Sequence, residues 1–145
     1  MDGIVITRLG PGDEAVLADV AEGVFDETPR PELAKKFLET AHYRIVVARD
    51  GGLVVGMATG FTHFHPDKDE EFFVNELGVA DSHRRRGIGL ALMRALLDEA
   101  RVMGVTVAWV GTERDNHAAL ALYRKLRGPD DSEEAMSVFT YRIGE

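Results

Sequence analysis

The sequence predicts an α/β fold, a mixed sheet with helices packed against it. Three observations carry this reading. Four strand-like runs fall within the first 80 positions, and the first of them alternates apolar and polar residues with the period of a half-buried strand. Two of those runs are joined directly by Asp50-Gly51-Gly52, a hairpin signal. A long stretch beginning at Ile88 then places apolar residues three to four apart and is followed by another strand-like run, the signature of a strand–helix–strand unit.

Taken in order, Ile4 to Leu9 alternates and reads as the first strand, broken by Gly10-Pro11-Gly12. Val16, Leu17, Val20 and Val24 recur at helical spacing behind Asp13 and Glu14, acids suited to a helix start. Pro31 fits a first helical position, with Leu33, Phe37, Leu38 and Ala41 on one face. Arg44 to Arg49 and Leu53 to Phe64 are the strands of the hairpin, and Gly56 and Gly60 in the second suggest a bulge or close backbone approach. His65 to Glu71 is an exposed loop, and Phe72 to Val79 a further strand. The helix opening at Ile88 runs through Leu92, Leu96 and Leu97 and ends at Gly104. Thr106 to Val110 reads as a buried strand with Trp109 in the core. Asn116 caps a helix carrying Leu120, Leu122, Tyr123 and Leu126, and Ser137 to Ile143 closes the chain as a strand. The order is β-α-α-β-β-β-α-β-α-β. No repeat or long linker divides it, so residues 1–145 read as one domain.

Composition narrows the function. The 145 residues, 45% of them hydrophobic, suffice for a core without staples. The absence of cysteine excludes disulfides, a thiol nucleophile and cysteine-ligated metal, and fits the cytoplasm. A net charge of −8 argues against nucleic acid and favours a cationic partner. No apolar run is long enough for a membrane span, and the acidic start Met1-Asp2-Gly3 is unlike a signal peptide.

The chemistry concentrates between Asn75 and Gly89. A strand leads into Arg84-Arg85-Arg86, and Gly87 and Gly89 then open the long helix. Free N–H groups and the positive dipole end make a helix start an anion site. Glycines let a phosphate approach the backbone, and arginines add charge-assisted bonds. The P-loop pattern is absent. A dinucleotide fingerprint lacks its third glycine, where Leu92 stands, and its acid, near Val107 to Trp109. A basic helix start without a ligand is the plain alternative.

Arg84-Arg85-Arg86-Gly87-Ile88-Gly89 resembles the pyrophosphate loop of the GNAT superfamily of acetyl-CoA-dependent N-acetyltransferases. Glu76-Leu77-Gly78-Val79 matches the strand before that loop, and Asn116 with Leu122 to Leu126 the later helix. Within the superfamily the chain looks most like the aminoglycoside 3-N-acetyltransferases of the type I group, on the stretches Glu76 to Arg85, Trp109 to Tyr123 and Glu133 to Met136. It departs from that group at Glu113, where an aspartate is usual, at Arg127, and in the loop Gly128 to Ser132.

The resemblance implies the GNAT fold, with six to seven strands, about four helices and a split between the strands of residues 72–79 and 106–110. It implies acetyl-CoA as cosubstrate, its arm lying along Leu77, Gly78 and Val79 and its pyrophosphate held by Arg84, Arg85, Arg86, Gly87, Ile88, Gly89 and Leu90. Asn116 would contact the cofactor arm or merely cap its helix. The acceptor would be the primary amine of a cationic small molecule, an aminoglycoside first, which would make the chain an antibiotic-resistance enzyme. A polyamine-like metabolite or a protein N-terminus is the alternative acceptor, and a noncatalytic acyl-CoA-binding module the alternative class. Dimers are frequent in the superfamily, so a homodimer is compatible with the reading.

An amine attacks only when neutral, so a base should take its proton. Glu76 and Glu113 are the candidates, and Tyr123 is the resemblance-based acid for the leaving thiolate. His63 and His65 alternate at strand spacing with Asp67 and Asp69 beyond, but no third ligand is evident and no metal is expected. His83 reads as phosphate-proximal or surface, and His117 as solvent-facing. Asp67, Asp69, Glu70 and Glu71 read as a solvated loop or as a cluster that draws a polycationic substrate to the mouth of the site, and Glu27, Glu32 and Glu39 could line the same mouth.

Overall fold

The computed structural model describes residues 3–144; Met1 and Asp2 of the acidic start lie outside them, as does Glu145. Two compact units make up the chain, Met1–Glu113 and Arg114–Glu145.

The first unit is a five-stranded sheet in the order β1-β2-β3-β4-β5: β1 Ile4–Arg8, β2 Tyr43–Asp50, β3 Leu53–His63, β4 Glu71–Val79 and β5 Ala108–Val110. The first four strands are antiparallel; the connections from β2 to β3 and from β3 to β4 are too short for a crossover and can only reverse the chain. Gly51, at φ 61°, makes the two-residue turn from β2 to β3. The last pair is parallel, which requires a crossover, supplied by helix α2, Ile88–Val102. Ile88, Leu92, Met93, Leu96 and Ala100 form its buried stripe. Phe72 is fully buried and lies over Gly60, where a Cβ would overlap its ring. On the opposite face are Leu17, Val24 and helix α1, Pro31–Glu39, with Ala34 and Leu38 turned inward.

Three expectations need correction. The apolar repeat from Val16 to Val24 makes no α-helix, only a 3-10 turn over Glu14–Ala18. The start of β3 captures the backbone there: Val54 N–H donates to Asp19 at 2.9 Å and Ala21 N–H to Val54 at 2.9 Å, which bridges Val20 to Val54. Ser137 to Ile143 forms no strand, and Val138, Phe139, Tyr141 and Ile143 are 76% to 98% exposed. Their alternation has the composition of a strand, but a strand needs an edge to pair with. The described residues therefore hold five strands and three α-helices, not six to seven and about four. The third correction is Trp109, which is 41% exposed rather than core, because β5 pairs on one side only.

In the second unit Asn116 caps helix α3, His117–Leu126, its Oδ1 accepting from Ala119 N–H at 3.1 Å. Arg124 donates to both carboxylate oxygens of Glu133 at 2.8 Å, and these bonds hold the Glu133 carboxyl below the usual range. Among the described residues no helix is long and apolar enough to cross a membrane.

Candidate active site

The split expected between two strands has a definite origin. β5 pairs with β4 over only three residues, Phe72 with Ala108, Phe73 with Trp109 and Val74 with Val110. Beyond Val74, β4 continues to Val79 with no partner on that side among the described residues. A register shift between Thr59 and Gly60 leaves Asn75 as an extra residue in β4. That one residue reverses which amides point outward. Phe72 N–H donates toward β5, to Val107 at 2.9 Å, whereas Ala80 N–H donates the other way, to Val55 at 2.9 Å. Alternation back from Ala80 turns the backbone of Glu76 and Gly78 toward β3 and that of Leu77 and Val79 into the open edge. An extended arm laid there could bond to Leu77 and Val79 as an added strand would.

β4 runs into the loop that opens α2. Arg85, at φ 62°, and Gly87, at φ 80°, are both left-handed, a conformation that lets neighbouring backbone N–H groups converge. For arginine that conformation costs about 1–2 kcal/mol. Gly87 is the helix N-cap and no side chain caps it, so the first amides of α2, those of Ile88, Gly89 and Leu90, have no partner within the helix. A Cβ built on Gly87 meets nothing within 4 Å, so the space before the helix is open. Arg84 is engaged by its own strand, pairing with Asp81 at 3.0 Å and reaching the Val79 carbonyl at 3.5 Å. Arg85 and Arg86 are exposed and make no ion pair among the described residues. His83 is a strap: Nε2 lies 2.9 Å from Asp50 Oδ2 and Nδ1 2.7 Å from Ser82 Oγ, tying the loop to the end of β2. Open amides, unpaired guanidinium groups and free space fit a diphosphate.

Gly78 serves a different neighbour from the one expected. A Cβ there would overlap the Val24 carbonyl oxygen and sit 3.0 Å from its carbon. The missing side chain makes room for the chain before α1, not for the cofactor edge.

Glu76 faces that same side, opposite α2, as the register partner of Thr59. Burial pushes its carboxyl above the ordinary range, and the Asp26 carboxylate pushes it further. The Thr59 hydroxyl opposes the shift only weakly, since its buried Oγ1 is outside hydrogen-bonding geometry. A carboxylate so raised is a better base near neutral pH than an ordinary one. Asp26 was invisible to sequence reasoning, because nothing local links it to a residue 50 positions on.

The sheet face around Glu76 carries an aromatic ladder that the sequence analysis also missed. Tyr43, Phe61, Phe73 and Trp109 are consecutive register partners across β2, β3, β4 and β5. Their ring centroids stand 5.3, 5.4 and 4.4 Å apart. Tyr43 and Trp109, the two ends, are 40% and 41% exposed.

The other predicted residues are placed as follows. Glu113 is exposed beyond the end of β5. Asn116 and Tyr123 belong to the second unit. Asn116 performs the cap described above. Tyr123, in the middle of α3, is half-buried, and burial raises its phenol pKa, so the proton stays on at neutral pH.

The sequence model of the acetyltransferase (GNAT) family matches residues 15–128. N-alpha-acetyltransferase RimI of Mycobacterium tuberculosis is 34% identical over 125 residues, covering 85% of this chain and 77% of that protein. An L-2,4-diaminobutyric acid acetyltransferase of Shouchella clausii is 36% identical over 81 residues, covering 56% of this chain and 44% of that protein. Among solved structures, the aminoglycoside acetyltransferase HMB0005 from an uncultured soil metagenomic sample superposes with a TM-score of 0.74 at 25% identity, over 95% of this chain and 99% of that one. AAC(6')-Iy, in complex with a bisubstrate analogue of CoA, shares the fold with a TM-score of 0.75 at 18% identity, over 96% and 97% of the chains. The chain belongs to the acetyltransferase (GNAT) family and is an acetyl-CoA-dependent N-acetyltransferase.

Proposed function

We propose that the acceptor is an α-amine flanked by apolar groups, as at a peptide N-terminus. The aromatic ladder carries this reading. Half-exposed rings lie in register on the same sheet face as Glu76, a floor suited to apolar side chains and to a cation held over a ring. The similarity to an N-alpha-acetyltransferase over most of the chain supports it.

In this reading Glu76 takes the proton of the incoming ammonium, directly or through water, because the neutral amine is the nucleophile. Glu113 is the second carboxylate that could do so. Leu77 and Val79 hold the cosubstrate arm by their outward backbone groups. The Val79 N–H is aimed to polarise the reacting carbonyl as an oxyanion donor. Gly78, between them, leaves room for the Val24 backbone on the neighbouring face. Arg84 steadies the Val79 carbonyl, Arg85 and Arg86 supply charge, and the amides of Gly87, Ile88, Gly89 and Leu90 receive the diphosphate. Asn116 orients α3, and Tyr123 returns a proton to the leaving thiolate.

A second reading, acetylation of an aminoglycoside, with the 3-amino group as the position the sequence resemblance implies, is favoured as to substrate class by the net charge of −8 and by the likeness to HMB0005. A thiol-release assay decides between them. With peptides of varied first and second residues, kanamycin- and gentamicin-type drugs and spermidine, the highest kcat/KM should fall on peptides with apolar leading residues. Higher kcat/KM on the drugs would replace the first reading by the second.

A further inference from the structure

Outside the acetyl-transfer site, three metal-ligating side chains converge where β3 ends and β4 begins. His63 and Glu71 are register partners across the hairpin, so their side chains share a face. His65 is two residues beyond His63, and its ring returns to 4.8 Å from the His63 ring. Nε2 of His65 stands 3.2 Å from Glu71 Oε1, and Nε2 of His63 stands 3.8 Å from the same oxygen. One ligand atom from each residue lies within 4.8 Å of the other two. A tetrahedral ion with bonds of about 2.0–2.1 Å separates its ligands by about 3.4 Å. Side-chain rotation alone can close that difference.

The arrangement is poorly satisfied as it stands. Two imidazoles crowd one carboxylate oxygen, and His63 Nδ1 is buried without a hydrogen-bond partner. All three side chains are about a quarter exposed, 28%, 24% and 26%, partly desolvated yet open to an ion. The exposed acids Asp67 and Asp69, with the half-buried Glu70, raise the local concentration of cations at the connecting loop. Two imidazoles and a carboxylate suit zinc and its neighbours rather than the all-oxygen preference of magnesium or calcium.

We propose that His63, His65 and Glu71 bind a divalent transition ion of the zinc class. Three protein ligands leave one position open. The ion would pin both ends of loop 64–70 at the edge of the aromatic ladder, since the His63 ring is 6.1 Å from that of Trp109.

That distance provides the test, because Trp109 is the chain's one tryptophan. Tag-free, chelator-treated full-length protein is titrated with Ni²⁺ while tryptophan fluorescence is followed, then challenged with Zn²⁺. The expected result is saturable quenching with one equivalent, reversed by Zn²⁺. His63→Ala and His65→Ala should each weaken Ni²⁺ binding at least about tenfold. His117→Ala, which alters a histidine outside the cluster, should leave it unchanged. His65 lies in the loop, so its replacement leaves the strand ladder intact, and circular dichroism verifies the fold. Quenching that does not saturate, that Zn²⁺ does not reverse, or that persists with equal affinity in His65→Ala would overturn the assignment.

Discussion

Replacing Gly78 by alanine tests the packing that sets Glu76 beside Asp26. The new methyl would overlap the Val24 carbonyl oxygen and come 3.0 Å from its carbon. Both are backbone atoms, so no rotamer change relieves the clash; either β4 or the segment around Val24 must move. The same substitution at Gly56 is a matched control. There the methyl would lie 2.9 Å from Leu92 Cδ1 and 3.3 Å from both Ile88 Cγ2 and the Gly78 carbonyl oxygen, so its tightest contact is a side-chain end that can turn aside and its backbone contact is far looser than the one at Gly78. Overpacking costs about 1–3 kcal/mol, so Gly78→Ala should fall near the top of that range and Gly56→Ala near the bottom. At about 4 °C per kcal/mol for a chain of this length, Gly78→Ala should lower Tm by roughly 8–12 °C and Gly56→Ala by roughly 4 °C. Differential scanning calorimetry measures both. A second readout follows from geometry. Moving Val24 off the strand carries Asp26, two residues on, away from Glu76 and weakens the like-charge repulsion. The acid limb of kcat/KM should then move to lower pH in Gly78→Ala and stay put in Gly56→Ala. A Gly78→Ala melting point within about 2 °C of the parent, or a larger loss in Gly56→Ala, would refute the packing argument.

The remaining predictions concern the proposed chemistry. Asp26→Asn removes one of the two influences that raise the Glu76 carboxyl; the base then ionises at lower pH, and the acid limb of kcat/KM shifts down, as a pH–rate profile would reveal. An unmoved limb would detach Glu76 from the proton transfer. Tyr123→Phe keeps the ring and deletes the proton, and kcat should fall about 10²–10⁴-fold with an unchanged circular dichroism spectrum; full kcat would reject the acid role. Arg85→Ala and Arg86→Ala should each weaken coenzyme A binding by roughly tenfold or more, one charged hydrogen bond's worth, in isothermal titration. Arg84→Ala should cost less, because Asp81 already holds that guanidinium; equal losses at all three positions would contradict this division.

Much was legible along the chain because it depends on neighbours in sequence. The Asp50-Gly51-Gly52 turn, the α2 stripe from Ile88 to Ala100 and the Asn116 cap each follow from residues a few positions apart. The loop Arg84 to Gly89 was legible for the same reason: glycine conformation, helix-end amides and adjacent charge are local properties. The failures are equally instructive. Val16 to Val24 has helical spacing, yet β3 offers its backbone better-placed partners. Ser137 to Ile143 has strand composition, yet pairing needs a second strand, which no composition supplies. Trp109 looked like core because apolar neighbours surround it in sequence, while its place at the sheet edge leaves it exposed.

By itself the sequence determined the α/β class, the glycine- and arginine-rich strand-to-helix turn and the acetyltransferase family. Tertiary structure alone decided that Asn75 is an extra residue, and with it that Leu77 and Val79 rather than Glu76 and Gly78 face the open edge. It also brought Asp26 to Glu76, aligned Tyr43, Phe61, Phe73 and Trp109, and supplied Glu71 as the missing partner of His63 and His65. The physical reason is register. Local propensity says that a segment is a strand, but which of its residues meet those of the next strand is set by side-chain packing and ladder bonds between distant parts of the chain, and a shift of one residue exchanges the two faces.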